Sequence, residues 1–314
     1  MRQASDKTVE EAMKAYEVYL RDDKQNKPGS IEDTMWRLRT FFVEVSDDGS
    51  TVLRSPGDIL LSAISSERAP AFYDSLRSRR SVRTKRLLSV DSHRNILAES
   101  KTFLRWCVAR KWIARNPLES VEGIGKRRRG KAQLRIDEAR RWLAKALEIA
   151  EEGERGAVAA IVSLVMGMRA SEIVSRVVRD LDDNGTLLWI PDSKTEAGKR
   201  TLRVPDILQP LLQALAQGKG AEALLFGYHD RDWVRDWVKR ICGLSKVPKV
   251  TAHGMRGLHG TLAIGSGATG QMVAAALGHD SETTTFGNYV DPTTAGEARQ
   301  KRALTVLQGG RMGA

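Results

Sequence analysis

The chain has 314 residues, of which 51 are basic and 39 acidic, so its net charge is +12 at pH 7 and its pI is about 9.8. The length predicts about two domains, and 41% hydrophobic with 29% charged residues indicates a globular rather than a disordered chain. The longest apolar stretch without a charge, residues 156–168, is too short to span a bilayer, and two cysteines cannot form a disulfide framework. Because the N-terminus has no apolar signal core, we expect a cytoplasmic protein with no membrane association. The excess of positive charge predicts a polyanionic partner.

Helices dominate the first 120 residues. Thr8–Glu11 is a capping box that predicts the start of the first helix, because each of its two end residues can satisfy a free backbone N–H. The next helix is expected to begin with Ser30 as its N-cap, and Ser55–Pro56 predicts an N-cap followed by proline at the first helical position. A long helix is expected over about Ser92–Trp112, ended by Asn116–Pro117.

Positive charge is concentrated between residues 77 and 131, which contain 17 basic and 4 acidic residues, a net charge of +13. Residues 121–131 hold three glycines and five basic residues, a composition typical of an exposed linker. The pattern fits a solvated helix face with a flexible linker, and it fits a nucleic-acid-binding surface equally well. Ten residues are the candidate nucleic-acid contacts: Arg83, Lys85, Arg86, Arg105, Arg110, Lys111, Lys126, Arg127, Arg128 and Arg129.

The second half combines helices with one β-hairpin. A helix is expected to start near Asp137, and Gly156–Met168 is apolar enough for a buried helix. Leu187–Ile190 and Thr201–Val204 are rich in β-forming residues and flank a polar, glycine-containing turn, which predicts a hairpin. Because the remaining sequence is mostly helical, the chain as a whole is predicted to be mainly α with a small β-hairpin or sheet.

Two short segments around the hairpin carry residues suited to an anionic substrate. A glycine, Gly167, closes the buried helix and is followed by Arg169, and Glu172 is expected to lie on the same helix face and hold this arginine. Lys194 lies in the hairpin turn, where it presents a cation. Taken alone, an arginine at a helix end usually caps carbonyls and a turn lysine is usually solvated.

Two further segments follow in the last quarter of the chain. His253 and Arg256 are three residues apart, so on one helix face an imidazole and a guanidinium converge on the same anion. His279 stands in a Leu-Gly-His segment, and Tyr289 follows ten residues later. Each of these features alone is commonly structural, whereas the order, spacing and residue types of the whole set indicate one chemistry.

In this set of residues the second half resembles the catalytic domain of the tyrosine recombinase, or phage integrase, family. The two arginines of the family match Arg169 and Arg256, its hairpin lysine matches Lys194, and its nucleophile matches Tyr289. The histidine of the His-x-x-Arg motif matches His253, the third-box histidine matches His279, and the acidic supporting residue matches Glu172. The first half is similar to the helical, SAM-like core-binding domain of the family. Gly257 and His259, close to Arg256, depart from the usual family pattern.

The resemblance implies a division of the chain into three parts. A helical core DNA-binding domain would occupy residues 1–120, a basic linker residues 121–131, and a mostly helical α+β catalytic domain residues 132–314. The two domains would clamp duplex DNA between them. The implied partners are double-stranded DNA, further copies of the chain in a tetramer on paired DNA sites, and accessory directionality proteins; the implied setting is a bacterial or phage-encoded, nucleoid-associated enzyme.

The implied activity is site-specific cleavage and rejoining of DNA strands through a covalent 3′-phosphotyrosine on Tyr289, for integration, excision or resolution. The two arginines would grip phosphate oxygens as bidentate forks. Lys194 would protonate the leaving 5′-hydroxyl, and the two histidines would donate hydrogen bonds or transfer protons. Because the phosphotyrosine keeps the energy of the broken bond, the resemblance implies neither metal nor ATP nor another cofactor.

Two alternatives remain open at the level of sequence. A type IB topoisomerase-like or telomere-resolving enzyme uses a similar set of residues. The short length, with no arm-binding domain expected before the first helix near residue 8, favours a simple integrase or Xer-type recombinase instead. A catalytically inactive DNA-binding architectural protein would need the cations but not Tyr289.

Overall fold

The computed structural model of the chain describes residues 6–46, 51–80, 85–127, 130–191 and 198–279. The chain divides into two compact units, Met1–Arg128 and Arg129–Ala314, and each has its own hydrophobic core. The described residues form eleven α-helices and five short strands, so the predicted mainly α fold with a small sheet is confirmed. The division falls within the predicted linker, and the domain limits of 120 and 132 stay a prediction.

The first unit is built from four helices around an aromatic core. Phe42 lies at the centre of this core, with ring centroids 6.0 Å from Phe72 and 5.8 Å from Phe103. A two-stranded antiparallel ribbon packs beside the helices. The elements are α1 (Val9–Asp22), α2 (Pro28–Phe41), β1 (Glu44–Val45), β2 (Val52–Arg54), α3 (Ala69–Ser78) and α4 (Val90–Ala109).

The starts of α1 and α2 test two predictions about helix caps. The capping box of α1 is confirmed, because the Glu11 N–H donates to the Thr8 hydroxyl at 3.2 Å and the Thr8 N–H donates to the Glu11 carboxylate at 2.8 Å. The prediction that Ser30 caps α2 is wrong. Lys27 is the N-cap and Pro28 occupies the first helical position. Proline is well suited to this position, because a backbone N–H there would have no partner within the helix.

Helix α4 is shifted relative to the predicted range Ser92–Trp112. It begins at Val90, because the Ser89 side chain accepts a hydrogen bond from a backbone N–H of the first turn. It ends at Ala109, since Lys111 adopts a left-handed backbone conformation (φ 59°) that an α-helix cannot contain.

The first residues of the predicted linker pack against the first unit. Val121 belongs to the hydrophobic core of this unit. The Ile124 N–H donates to the Tyr73 hydroxyl at 3.0 Å, and Arg94 Nη1 donates to the Gly125 carbonyl at 2.6 Å. This part of the linker is therefore fixed to the unit, and its next two residues, both basic, are exposed.

The second unit surrounds one buried helix. Residues Gly156–Leu164 are buried throughout, and the helix that contains them packs against the helices Ile136–Glu151, Arg231–Leu244 and Ala252–Gly265 and, less extensively, against two shorter helices. Among the described residues, no helix is both long and apolar enough to span a bilayer. The elements are α5 (Ile136–Glu151), α6 (Arg155–Val165), α7 (Ala170–Val174), β3 (Leu181–Asp182), β4 (Leu187–Ile190), β5 (Arg200–Arg203), α8 (Gln209–Ala216), α9 (Arg231–Leu244), α10 (Ala252–Gly265) and α11 (Gly270–Leu277).

The predicted β-hairpin is confirmed. Strand β4 lies between β3 and β5 in a three-stranded antiparallel sheet, with Leu187 opposite Arg203 and Ile190 opposite Arg200. The turn that carries Lys194 lies outside the described residues. The sheet thus places the start of β5, directly after this turn, beside the buried end of β4.

Candidate active site

The first arginine of the predicted set follows a glycine turn. Helix α6 ends at Val165, earlier than predicted, and Gly167 adopts φ +62°, a conformation that favours glycine. A Cβ atom at this position would also lie 2.8 Å from the His259 ring and 2.7 Å from the Leu277 side chain. The turn leads directly to Arg169, which is the N-cap of α7.

Glu172 binds two arginines. Its carboxylate accepts hydrogen bonds from Arg169 Nη1 at 2.6 Å and from the Arg169 backbone N–H at 3.0 Å. The predicted pairing is therefore present, but it is a capping interaction rather than a contact along one helix face, because Arg169 precedes the helix. Arg200, at the start of β5, donates from Nη2 to the same carboxylate at 3.1 Å.

The two arginines keep this buried carboxylate ionised. Burial alone would raise the pKa of Glu172, which is only 4% exposed. The positive charge of Arg200, with the hydrogen bonds from Arg200 and Arg169, outweighs burial and holds the pKa of the carboxyl below its usual value. A permanently charged Glu172 can therefore fix the guanidinium of Arg169.

The second arginine of the set, Arg256, is completely buried in α10. Its Nη1 donates to the Gly167 carbonyl and its Nη2 to the Leu277 carbonyl. Nη2 also lies 2.9 Å from Nε2 of His279. Because a guanidinium only donates hydrogen bonds, Nε2 is the acceptor and a neutral His279 carries its hydrogen on Nδ1.

His279 is placed by the end of α11. Gly278 takes a left-handed conformation (φ 63°) directly after this helix, and the His279 backbone N–H donates to the Ala274 carbonyl at 2.9 Å. Burial, followed by the charges of Arg256 and Arg169, lowers the pKa of His279 to about 3. The imidazole is therefore neutral at pH 7.

His253, on the first turn of α10, shares a cavity with both arginines. The cavity has a volume of about 160 Å³, and its lining includes Arg169, His253, Arg256, Arg231 and Arg235. His253 is exposed to solvent at the mouth of this cavity. Partial withdrawal from water, followed by the charges of the neighbouring cations, Arg256 first, lowers the pKa of His253 to about 4. A cavity with this lining is suited to bind an anion.

The segment before α5 also approaches the cavity. A Cβ atom at Gly254 would lie 2.5 Å from the Ala132 carbonyl oxygen, so the chain passes directly over the first turn of α10. The hydroxyl of Thr261 donates to the Gln133 side chain at 2.9 Å. Lys131, the last residue of the predicted linker, therefore adds its charge to those that lower the pKa of His253.

Three arginines of this region were not predicted from the sequence. Arg231 and Arg235 lie four residues apart on α9 and face the cavity, but their alternation with aspartates resembles an ordinary solvated helix. Arg200 stands in a strand, with its acidic partner 28 positions away. The i,i+4 spacing on α9 is a weak signal for these two arginines, and no local pattern marks Arg200.

The structure describes only part of the predicted set of functional residues. Arg169, Glu172, His253, Arg256 and His279 come together in the second unit. The nucleophile and the hairpin lysine, Tyr289 and Lys194, lie outside the described residues, as do three of the candidate DNA contacts, Arg83, Arg128 and Arg129. The other seven candidates are all exposed on the first unit: Lys85, Arg86, Arg105, Arg110, Lys111, Lys126 and Arg127.

Comparisons with known proteins agree with this arrangement. The family model described as "Phage integrase family" matches residues 133–295. Tyrosine recombinase XerC of Mycobacterium tuberculosis (strain CDC 1551 / Oshkosh) is 30% identical over 204 residues, which cover 59% of this chain and 67% of that protein. These matches define the class of protein as a tyrosine recombinase. The chain belongs to the phage integrase family.

Two solved structures share the fold. A lambda integrase tetramer bound to a Holliday junction has a TM-score of 0.67 at 17% identity, covering 92% of this chain and 78% of that chain. The Tn1549 transposon integrase in complex with a circular intermediate DNA has a TM-score of 0.70 at 15% identity, covering 94% of this chain and 99% of that chain. The predicted membership of the family is thus confirmed, and site-specific recombination is favoured over the topoisomerase-like, telomere-resolving and architectural alternatives.

Proposed function

We propose that this enzyme cleaves and rejoins DNA at specific sites, using Tyr289 as the nucleophile. The observation that carries the proposal is the cavity bounded by Arg169, His253 and Arg256, with Arg231 and Arg235 on the same lining. A phosphodiester is an anion, and its negative charge is complementary to the positive charge of this lining. Two guanidiniums stabilise the additional negative charge that its oxygens gain in the transition state.

The proposed reaction exchanges one ester bond for another. The Tyr289 phenol oxygen attacks the scissile phosphorus and loses its proton, and the bond from phosphorus to the 5′-oxygen breaks. The 5′-oxygen takes a proton from Lys194 and leaves as a hydroxyl, while the 3′ end stays attached to the tyrosine. Attack of a 5′-hydroxyl from a partner strand reverses these steps and joins the new strand, so the chemistry needs neither metal nor ATP.

The histidines act in this scheme as neutral groups. With pKa values near 4 and 3, His253 and His279 are uncharged at pH 7. His253 can accept a proton or donate a hydrogen bond, whereas His279, whose Nε2 is already an acceptor, has its Nδ1–H to donate. His279 accepts from Arg256, which fixes the orientation of its ring. We assign His253, at the accessible end of the cavity, to hydrogen bonding with the phosphate or to proton transfer from the phenol.

The basic residues of the first unit are proposed to hold duplex DNA through its backbone. Their exposure allows contacts with phosphates, which supply affinity without reading sequence. A related protein of the same fold is a tetramer on a Holliday junction, and we propose the same assembly here, on paired sites, with accessory proteins that set direction. Because the relatives are bacterial recombinases and bacterial DNA lies in the cytoplasm, we propose that the enzyme acts there.

A nicked suicide substrate tests the proposed function. Cleavage near the nick releases a short fragment, so the covalent intermediate cannot religate and accumulates as a slow-migrating protein–DNA band. We expect wild-type protein to form this band in EDTA and Tyr289→Phe to form none. Relaxation of arbitrary supercoiled plasmid without a partner site would instead support the topoisomerase-like alternative, and DNA binding without any adduct would support the architectural one.

A further inference from the structure

The C-terminal end of α11 is held by three arginines from three different segments. The carbonyls of residues 276, 277 and 278 accept hydrogen bonds from Arg200, Arg256 and Arg169 in that order. The last carbonyls of a helix have no partner within the helix and carry partial negative charge. Three cations at this end therefore fix the point at which the chain turns into His279.

Arg200 differs from the other two arginines because it does not line the cavity. Its side chain is only 8% exposed. Nε donates to the Ala276 carbonyl at 2.8 Å, Nη2 to Glu172 at 3.1 Å and Nη1 to the Gly198 carbonyl at 2.7 Å. One planar group thus joins strand β5, the acid that holds Arg169, and the helix that precedes His279.

We propose that Arg200 is a positioning residue for phosphodiester cleavage, acting through Glu172 on Arg169 and through the Ala276 carbonyl on His279. The inference rests on the proposed function. Only arginine presents donors on Nε and on both Nη atoms in one fixed plane, so a lysine cannot make all three contacts in the same geometry. Without Arg200, the Glu172 carboxylate binds the guanidinium of Arg169 alone, and the hydrogen bonds from β5 to Glu172 and to the Ala276 carbonyl are lost.

The single-turnover rate on the suicide substrate separates positioning from binding. We expect Arg200→Met to lower the cleavage rate about 10- to 100-fold, because a small displacement of catalytic groups costs this much. The DNA concentration that gives half-maximal rate should change less than about threefold, since this side chain is withdrawn from the cavity. Arg203→Met removes an exposed arginine from the same strand and should cleave at the wild-type rate.

A double-mutant cycle shows whether Arg200 acts through Arg169. If it does, adding Arg200→Met to Arg169→Lys should slow cleavage far less than it slows the wild-type enzyme. Multiplication of the two losses, a wild-type rate for Arg200→Met, or an equal loss of DNA binding would overturn the proposal. Thermal unfolding checks the fold; should Arg200→Met be unfolded, Arg200→Lys replaces it in the same cycle and is expected to show a smaller loss with the same coupling. An adduct from wild type but not from Tyr289→Phe shows that the proposed function stands whatever the result for Arg200.

Discussion

Arg256 donates a hydrogen bond to Nε2 of His279 at 2.9 Å, although 23 positions separate the two residues. The contact joins helix α10, which packs against the buried helix α6, to the second residue after α11. Both side chains are buried, and this burial, followed by the charge of the guanidinium, keeps the imidazole neutral by lowering its pKa. The arginine that is proposed to bind the phosphate therefore also orients the ring of His279 and helps to keep it neutral.

The neutral histidines make the fold sensitive to mild acid. Because the pKa of His279 is about 3 in the fold, well below its usual 6.5, the unfolded chain binds more protons between these values. The contribution of the neutral His279 to the free energy of unfolding is therefore fully present above pH 6.5 and is lost as the pH falls toward 3. We expect the free energy of unfolding to fall more steeply from pH 7.5 to 5.5 in wild type than in His279→Gln, by about 1 kcal/mol for this one group. Urea unfolding at both pH values measures it, and equal losses would contradict the assignment.

Removal of the charge on Glu172 should leave two guanidiniums without their carboxylate. We expect Glu172→Gln to lower the free energy of unfolding by about 3 kcal/mol, the cost of breaking a buried pair from one side, and to slow formation of the covalent adduct. The matched control is Glu222→Gln, which breaks an exposed pair with Arg179 and should cost less than about 1 kcal/mol. Comparable losses in the two variants would show that burial does not decide the effect.

Gly254 is expected to be required for the close approach of residue 132 to α10. The Cβ atom of Gly254→Ala would meet the Ala132 carbonyl oxygen at 2.5 Å, so the backbone must move. We expect a loss of about 1–3 kcal/mol in stability and slower cleavage, since His253 is the preceding residue. Gly243→Ala, in α9, has no atom within 4 Å of the new Cβ and should be neutral or slightly stabilising. Thermal unfolding of both variants decides the point.

The basic end of the linker is expected to contact DNA phosphates. Neutralising Lys126, Arg127, Arg128 and Arg129 together should flatten the plot of log affinity against log salt concentration by up to about 3.6, since each phosphate contact contributes about 0.9. Fluorescence anisotropy at several salt concentrations measures the slope. A slope equal to that of wild type would show that these four residues do not contact DNA phosphates.

Local sequence patterns predicted the features whose partners are near in sequence. The capping box at Thr8 and the hairpin of β4 and β5 follow from neighbouring residues, and His253 and Arg256 share a helix as their spacing predicted. The role of Arg200 depends on Glu172 and Ala276, which are 28 and 76 positions away. Sequence periodicity cannot predict these contacts of Arg200, because they form only when the fold brings β5 close to α7 and α11.

The proposed recombination depends on one chemical event, attack of Tyr289 on a phosphodiester held by Arg169 and Arg256. Mass spectrometry of the trapped adduct, after digestion of protein and DNA, identifies the linked residue and the end of the DNA directly. We predict a peptide in which Tyr289 carries a nucleotide through its 3′-phosphate. A nucleotide on any other residue, or a linkage through a 5′-phosphate, would contradict the central claim.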